Sequence, residues 1–348
     1  MKQATVPAAG NLIDADLHNF GQRVEVIEKA CGLWFRKPRT AFWEWLFFGK
    51  GSPIEKYFFW TGPNGHSPLN EFIFNLEVES THHWLGFSRK VESCSEASLL
   101  GSHFYSLGVL LAYSFIFGIR DLHRGNLVMT PTHLQVVDVE VVFARLILPN
   151  ETILLPFKQV SWEGSGVGAF LPERFQLSHD HAKDLLGGYV DMFQLLIKKR
   201  VEILAVLQKI IDPTTPIRVL VRNTIEYNLS PNIHLKNDLM AEERAQLSRG
   251  DVPYFFKTLG GEDLLWLQQQ DKTAVVKSLG EFKSDIDRHA LSPEILLGEQ
   301  LVNESRLAQG ALLICRKLAL SEEYLLNDKT VISNKLVRIK SVEYKIKS

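Results

Sequence analysis

The chain has 348 residues, 45% of them hydrophobic and 23% charged, and a formal net charge of −1. That is enough apolar material for a sizeable core, and the near-neutral balance excludes a globally basic nucleic-acid binder. Cys31, Cys94 and Cys315 are far apart and lack the paired Cys and His spacing of a zinc site. With no charged-then-apolar leader, the expected location is a reducing cytoplasm.

In chain order, Asp16-Leu17-His18 comes first, followed by Gly21 and a strand-like run from Gln22 to Glu28. A turn at Lys29 to Gly32 then leads to a second strand ending in FRKPRT. This spacing predicts a β-hairpin with Lys37 at its end, flanked by Arg36 and Arg39 as forks for phosphate. A helix around Thr40 to Phe48 and the segment EFIFNLEVES complete the region to about residue 92; kinase logic offers Glu71 or Glu77 to pair with Lys37, but a plain surface glutamate is the commoner case for either. Ala97 to Ile119 contains no Asp, Glu, Lys or Arg and is long enough to cross a bilayer. Ser102, His103, Tyr105 and Ser106 interrupt it, and it runs directly into a polar loop, so it is read as a buried helix rather than a transmembrane segment.

The tract IRDLHRGNLVMTPTHLQVVDVE carries the most chemistry. Gly125 allows a tight turn before Asn126, and Pro131-Thr132 separates two apolar runs of strand character. Two acids inside VVDVEVVF are expensive to bury without cations. Phosphoryl transfer asks a protein mainly to position an acceptor hydroxyl and to hold Mg²⁺ through oxygen ligands. Asp121 suits the first task, and Asn126 and Asp138 the second, with Glu140 completing or supporting that shell. His123 is open between orienting Asp121 and touching phosphate.

Beyond it, WEGSGVGAF reads as a flexible loop and not a phosphate cradle, because it does not lie between a strand and a helix. From Asp180 the apolar residues recur at three- and four-residue spacing, giving a helix or helix pair that ends before Pro213. PIRVLVRNTIEY places Arg218, Arg222 and Thr224 within reach of one site, on a segment whose periodicity fits strand or helix alike. Residues 237 to 326 are expected to be mostly helical, with breaks at Gly250 to Pro253 and at Gly260-Gly261. The tail NKLVRIKSVEYKIKS alternates apolar and basic residues, as a terminal strand or an interfacial segment does.

Together, D-x-H, the KPR lysine, DLHxxN, DxE and R-x-x-x-R-x-T occur in the order that they take in the dehydratase domain of class II lanthipeptide synthetases, the LanM type. HFYSLGVLLAYSFIFGI and LSRGDVPYFF resemble further segments of that family, so the resemblance runs from about residue 12 to 315. It implies an α+β, two-lobed fold like that of protein and lipid kinases, with a small β-containing N-lobe and a mostly helical C-lobe. On that basis residues 1–92 form the N-lobe, 93–235 the catalytic C-lobe and 236–348 a helical extension with a basic tail.

The implied activity uses ATP and Mg²⁺ to phosphorylate Ser and Thr of a peptide or protein, and then eliminates the phosphate to leave dehydroalanine or dehydrobutyrine. Lys37, Asp121, His123, Asn126, Asp138 and Glu140 match the phosphorylation set. Asp16, His18, Arg218 and Thr224 match positions linked to elimination, with Arg222 as the second arginine of its motif and, like Lys37, assigned to cofactor binding. Two positions depart from the pattern: Gly86, beside Trp84, stands in place of a glutamate, and Ser106, after Tyr105, in place of an arginine. Without a zinc cyclase, ring closure is expected to need a separate cyclase partner. A kinase that stops at the phosphorylated product and a non-catalytic peptide-binding scaffold are the alternatives.

Overall fold

The computed structural model describes residues 17–62, 65–82, 84–94, 99–158, 160–173, 175–222, 227, 238–269, 272–278 and 292–345. In chain order the elements begin with strands β1 (Glu25–Lys29) and β2 (Gly32–Lys37), helix α1 (Phe42–Phe48), and strands β3 (Val78–His82) and β4 (Leu85–Arg89). Helix α2 (Gly101–Ile116), strands β5 (Leu127–Met129) and β6 (Leu134–Val136) and helix α3 (His179–Ile210) follow. Next come β7 (Pro216–Val219), α4 (Ala241–Ser248), β8 (Phe255–Thr258), β9 (Asp263–Gln269) and β10 (Lys272–Ser278). The chain closes with α5 (Pro293–Leu296), α6 (Glu304–Lys317) and strands β11 (Tyr324–Asn327), β12 (Thr330–Ile332), β13 (Leu336–Ile339) and β14 (Val342–Lys345).

These elements sort into two compact units that are not contiguous in sequence, unlike the division 1–92, 93–235 and 236–348. The first comprises residues 1–45, 77–90 and 212–288, and the second 46–76, 91–211 and 289–348.

In the first unit β1 and β2 form the expected hairpin, extended in the order β1-β2-β4-β3. A second antiparallel sheet has the order β10-β9-β8-β7. Its strands β8 to β10 correct the reading of residues 237 to 326 as mostly helical. Leu, Lys and Gln favour helices when nothing else decides, but DLLWLQQ pairs as a strand that buries Leu264, Trp266 and Leu267, KTAVVKS lays Ala274 and Val276 half-buried against it, and packing outweighs intrinsic preference. One face joins Val219, Phe255, Leu264 and Trp266, and the other joins Tyr254, Phe256 and Leu267. Gly260 makes the β8–β9 turn at φ +76.

In the second unit α2 and α3 form the core. Fourteen of the sixteen residues of α2 are buried, which explains an apolar run with no polar face. No helix among the described residues is long and apolar enough to cross a membrane. The helices cross in backbone contact: a Cβ on Gly108 would lie 1.9 Å from the Leu185 carbonyl oxygen, and one on Gly188 would lie 2.1 Å from that of Tyr105. Tyr113 donates from its hydroxyl to the Phe47 carbonyl at 2.8 Å, inside a cluster with Phe47, Phe58 and Phe117. The basic tail forms β13 and β14 of the sheet β11-β12-β13-β14. The expected metal strand ends at Val136, so Asp138 and Glu140 lie just past β6.

A polar pair is sealed between α2 and α3. Tyr105 donates to Asp191 at 2.8 Å, and His66 stacks on the Tyr105 ring at 4.0 Å. Burial pushes the Asp191 carboxyl from its ordinary 3.8 up to about 6, with the Tyr105 hydroxyl and His66 drawing it partway back. The folded chain therefore holds this proton more tightly than the unfolded chain does. Stability from this group is full below about pH 4 and is lost as the pH rises through about 6. Urea midpoints measured across that interval should fall with pH, and Asp191→Asn should flatten the slope.

Candidate functional site

The second unit builds a carboxylate-lined loop from short backbone bonds. The Leu122 amide donates to the Thr152 carbonyl at 3.0 Å, and that of Arg124 to Gly164 at 3.2 Å, which pins the loop from below. Asp121 adopts φ +65, a left-handed conformation that Asp tolerates better than most residues and that recurs at functional sites. The side-chain amide nitrogen of Asn126 donates to the Asp121 carbonyl at 2.9 Å. That commitment leaves Asn126 Oδ1 as the atom suited to a hard cation.

β5 and β6 then fold the chain back on itself, with Leu127 opposite Val136. One step further the Val137 amide donates to the Asn126 carbonyl at 3.1 Å, and the Arg120 amide donates to Val141 at 3.0 Å. Asp138 and Glu140 are therefore held between these two bonds, beside Asn126 and Asp121. Both are half-buried while Val139 between them is buried, so the two carboxylates are the more accessible side chains of this segment. His123 Nδ1 accepts from the Gly125 amide at 3.0 Å, capping the short turn Arg124–Asn126 and making Nε2 the nitrogen that bears hydrogen in the neutral ring. The glycine run after this loop is not open: the amides of Gly166, Val167 and Gly168 donate to Ile153, Leu154 and Ser165. It is a packed turn, not the flexible loop expected.

In the first unit Lys37 ends β2 with only 4% of its surface exposed. An acid not singled out from the sequence is a partner: Lys37 Nζ meets Glu44 Oε1 at 2.5 Å, Arg39 donates to the same oxygen at 2.8 Å, and Glu77 pairs with Arg89. Glu44, fully buried on α1, was missed although it is the lone acid in FWEWLFF, where burial demands a cation. Arg36 turns outward to Glu25 on β1, so RKPR divides into an exposed arginine and two buried cations. Gly86 lies opposite Lys37, and a Cβ there would meet the Ala41 nitrogen at 2.6 Å, so no glutamate fits at this position. Ser106 is likewise buried, its hydroxyl accepting from the Leu134 amide at 3.1 Å.

The same unit brings His18 and Arg218 to one residue, Tyr254. Arg218, on β7, lies 5.1 Å from the Tyr254 ring centre, and the His18 ring stands edge-on to it at 5.7 Å. His18 Nδ1 is 2.8 Å from the Val252 carbonyl, which only accepts, so Nδ1 carries the proton and Nε2 is the basic nitrogen of the neutral ring. Arg222, expected to bind cofactor, is held by carboxylates: Nε donates to Glu243 at 2.8 Å, and the other two nitrogens to Asp238. Partial burial works against its charge, but these carboxylates outweigh that and raise its pKa. It anchors α4 rather than presenting an open fork. Asp16 and Thr224 lie outside the described residues.

Among the described residues no three His, Cys, Asp or Glu side chains cluster to hold a metal. The donors Asn126 and Asp138 fit a different kind of site: two hard oxygen ligands, with phosphate and water oxygens completing an octahedron, are how Mg²⁺ is commonly held. Glu44 generates a stability prediction, because it is the carboxylate common to two buried cations. Glu44→Ala should cost roughly 3–5 kcal/mol in denaturant unfolding, more than the Lys37→Met exchange that removes one cation.

No family model matches the chain. The lacticin 481/lactococcin biosynthesis protein LcnDR2 of Lactococcus lactis subsp. lactis is 21% identical over an alignment 328 positions long that takes in 70% of this chain. The match covers 35% of that protein, so the chain spans about a third of the length of its relative. The similarity is distant, and this chain stands as a remote relative of a lacticin and lactococcin biosynthesis protein.

Proposed function

We propose that this chain modifies Ser and Thr side chains of a peptide within lanthipeptide biosynthesis, by phosphorylating the hydroxyl and then eliminating the phosphate, on a kinase-like framework. The observation that carries the reading is the hairpin bond from Val137 to Asn126, which sets Asp138 beside Asn126 and Asp121. The relation to a lacticin 481 biosynthesis protein supports a peptide as the substrate.

In this reading Asp121 accepts the proton of the acceptor hydroxyl as its oxygen bonds to the γ-phosphorus of ATP and the bond to the β-phosphate oxygen breaks, with ADP leaving. Asn126 and Asp138 would hold Mg²⁺, which neutralises phosphate charge. Glu140 supports that shell, and in the first unit Lys37, oriented by Glu44, is a fixed positive charge of the kind that binds phosphate. For elimination, His18 Nε2 takes the α-proton of the phosphorylated residue. The released electron pair forms the Cα–Cβ double bond, and the Cβ–O bond breaks with its electrons on the departing phosphate, which Arg218 stabilises.

A second reading, a kinase that stops at the phosphorylated product, is favoured by one observation: Arg222 is committed to Glu243 and Asp238 and not available to a leaving phosphate. Intact mass of a Ser/Thr peptide incubated with Mg-ATP and the protein separates the two. Loss of one water per site supports the dehydratase, gain of one phosphate without loss supports the kinase, and an unchanged mass overturns both. Asp138→Asn should abolish both products, whereas Arg218→Ala should accumulate phosphorylated peptide. Equal loss of phosphorylation in the two variants would refute this division of labour.

A further inference from the structure

The turn that carries His18 is unusual in its backbone. Asn19, Phe20 and Gly21 have φ +48, +72 and +74, and His18 and Gln22 close the turn by exchanging backbone hydrogen bonds of 2.7 and 2.8 Å. Consecutive left-handed residues, one of them a phenylalanine, are costly and persist only where surrounding structure imposes them. The imposing group is Asp251, more than 230 residues away in sequence. It is 1% exposed, and its two carboxylate oxygens accept from the Phe20 and Gly21 amides, each at 2.8 Å. Arg249 Nε holds one of those oxygens, while its guanidinium lies on the Phe20 ring at 3.9 Å. The next residue completes the latch: the Val252 amide donates to the Leu17 carbonyl at 2.7 Å, and its carbonyl receives the His18 ring. Tyr254, two residues on, carries Arg218 on its face.

We propose that Asp251 is the positioning residue of the elimination step, holding the His18 turn so that the imidazole is fixed as the Nδ1–H tautomer with Nε2 directed as base, at a set spacing from Arg218 across Tyr254. This rests on the elimination reading above. A carboxylate is required because only an acceptor with two equivalent oxygens satisfies both turn amides; an asparagine would turn an N–H toward one of them.

The test supplies a synthetic phosphoserine peptide, which bypasses phosphorylation, and follows its conversion by Asp251→Asn. The expected result is a fall in kcat of roughly 10- to 100-fold with KM nearly unchanged, since a misplaced base loses geometry and not binding. Phosphorylation of an unmodified peptide by Mg-ATP should persist, and ¹⁵N spectra of the imidazole should shift from the Nδ1–H pattern toward the Nε2–H pattern. Arg249→Gln, which keeps both turn amides bonded, should lose less. Elimination by Asp251→Asn within twofold of wild type would overturn the proposal, as would equal loss of phosphorylation and elimination. Failure of the wild-type protein to convert the phosphopeptide would overturn the elimination reading itself; the ¹⁵N pattern would still decide whether Asp251 sets the tautomer.

Discussion

The backbone bond from Val137 to Asn126 is the constraint on which the candidate catalytic loop depends. Asn126, Asp138 and Asp121 are spread over eighteen positions, and nothing in their side chains draws like-charged carboxylates together. The register of β5 and β6 does so, with Leu127 opposite Val136 and the Asn126 carbonyl serving as the next rung. A slip of one residue in this register would carry Asp138 away from the Asn126 carbonyl, and the burial of Leu134 and Val136 resists such a slip.

In the other unit the ordering is electrostatic. Lys37 and Arg39, both nearly buried, share Glu44 on α1, and Trp43 on the same helix donates to the Pro216 carbonyl at 2.7 Å. The helix is therefore tied at once to the two cations and to the strand that carries Arg218. Around His18 the same principle operates over a longer loop, where one carboxylate at Asp251 replaces the water that two amides would otherwise bind. Both arrangements place a buried acid where removal of its charge would leave donors without partners, the costly side of buried polarity.

Much of this was legible from residues alone, for identifiable reasons. The first hairpin, α2, α3 and the loop around Asp121 have strong periodicity or turn chemistry, and each was read with the right type. Strands β8 to β10 were not, because Leu, Gln and Lys leave the local preference undecided and only pairing with β7 resolves it. Glu44 was not singled out as a partner of Lys37, although the same reasoning that singled out Asp138 and Glu140, an acid within an apolar run, points to it. Asp251 was visible only as part of GDVPYF: a contact across more than 230 residues leaves no periodic trace. Arg222 was read as a cofactor-binding residue because its carboxylate partners, Asp238 and Glu243, lie beyond the motif.

The central claim is that Asn126 and Asp138 form one hard-cation site within a single hairpin. Water-proton relaxation enhancement by Mn²⁺ in the presence of ATP measures this most directly, comparing the native chain with Asp138→Asn and Asn126→Ala. The account predicts a nucleotide-dependent Mn²⁺ site in the native chain that both substitutions weaken alike. Enhancement that survives both substitutions unchanged would contradict it.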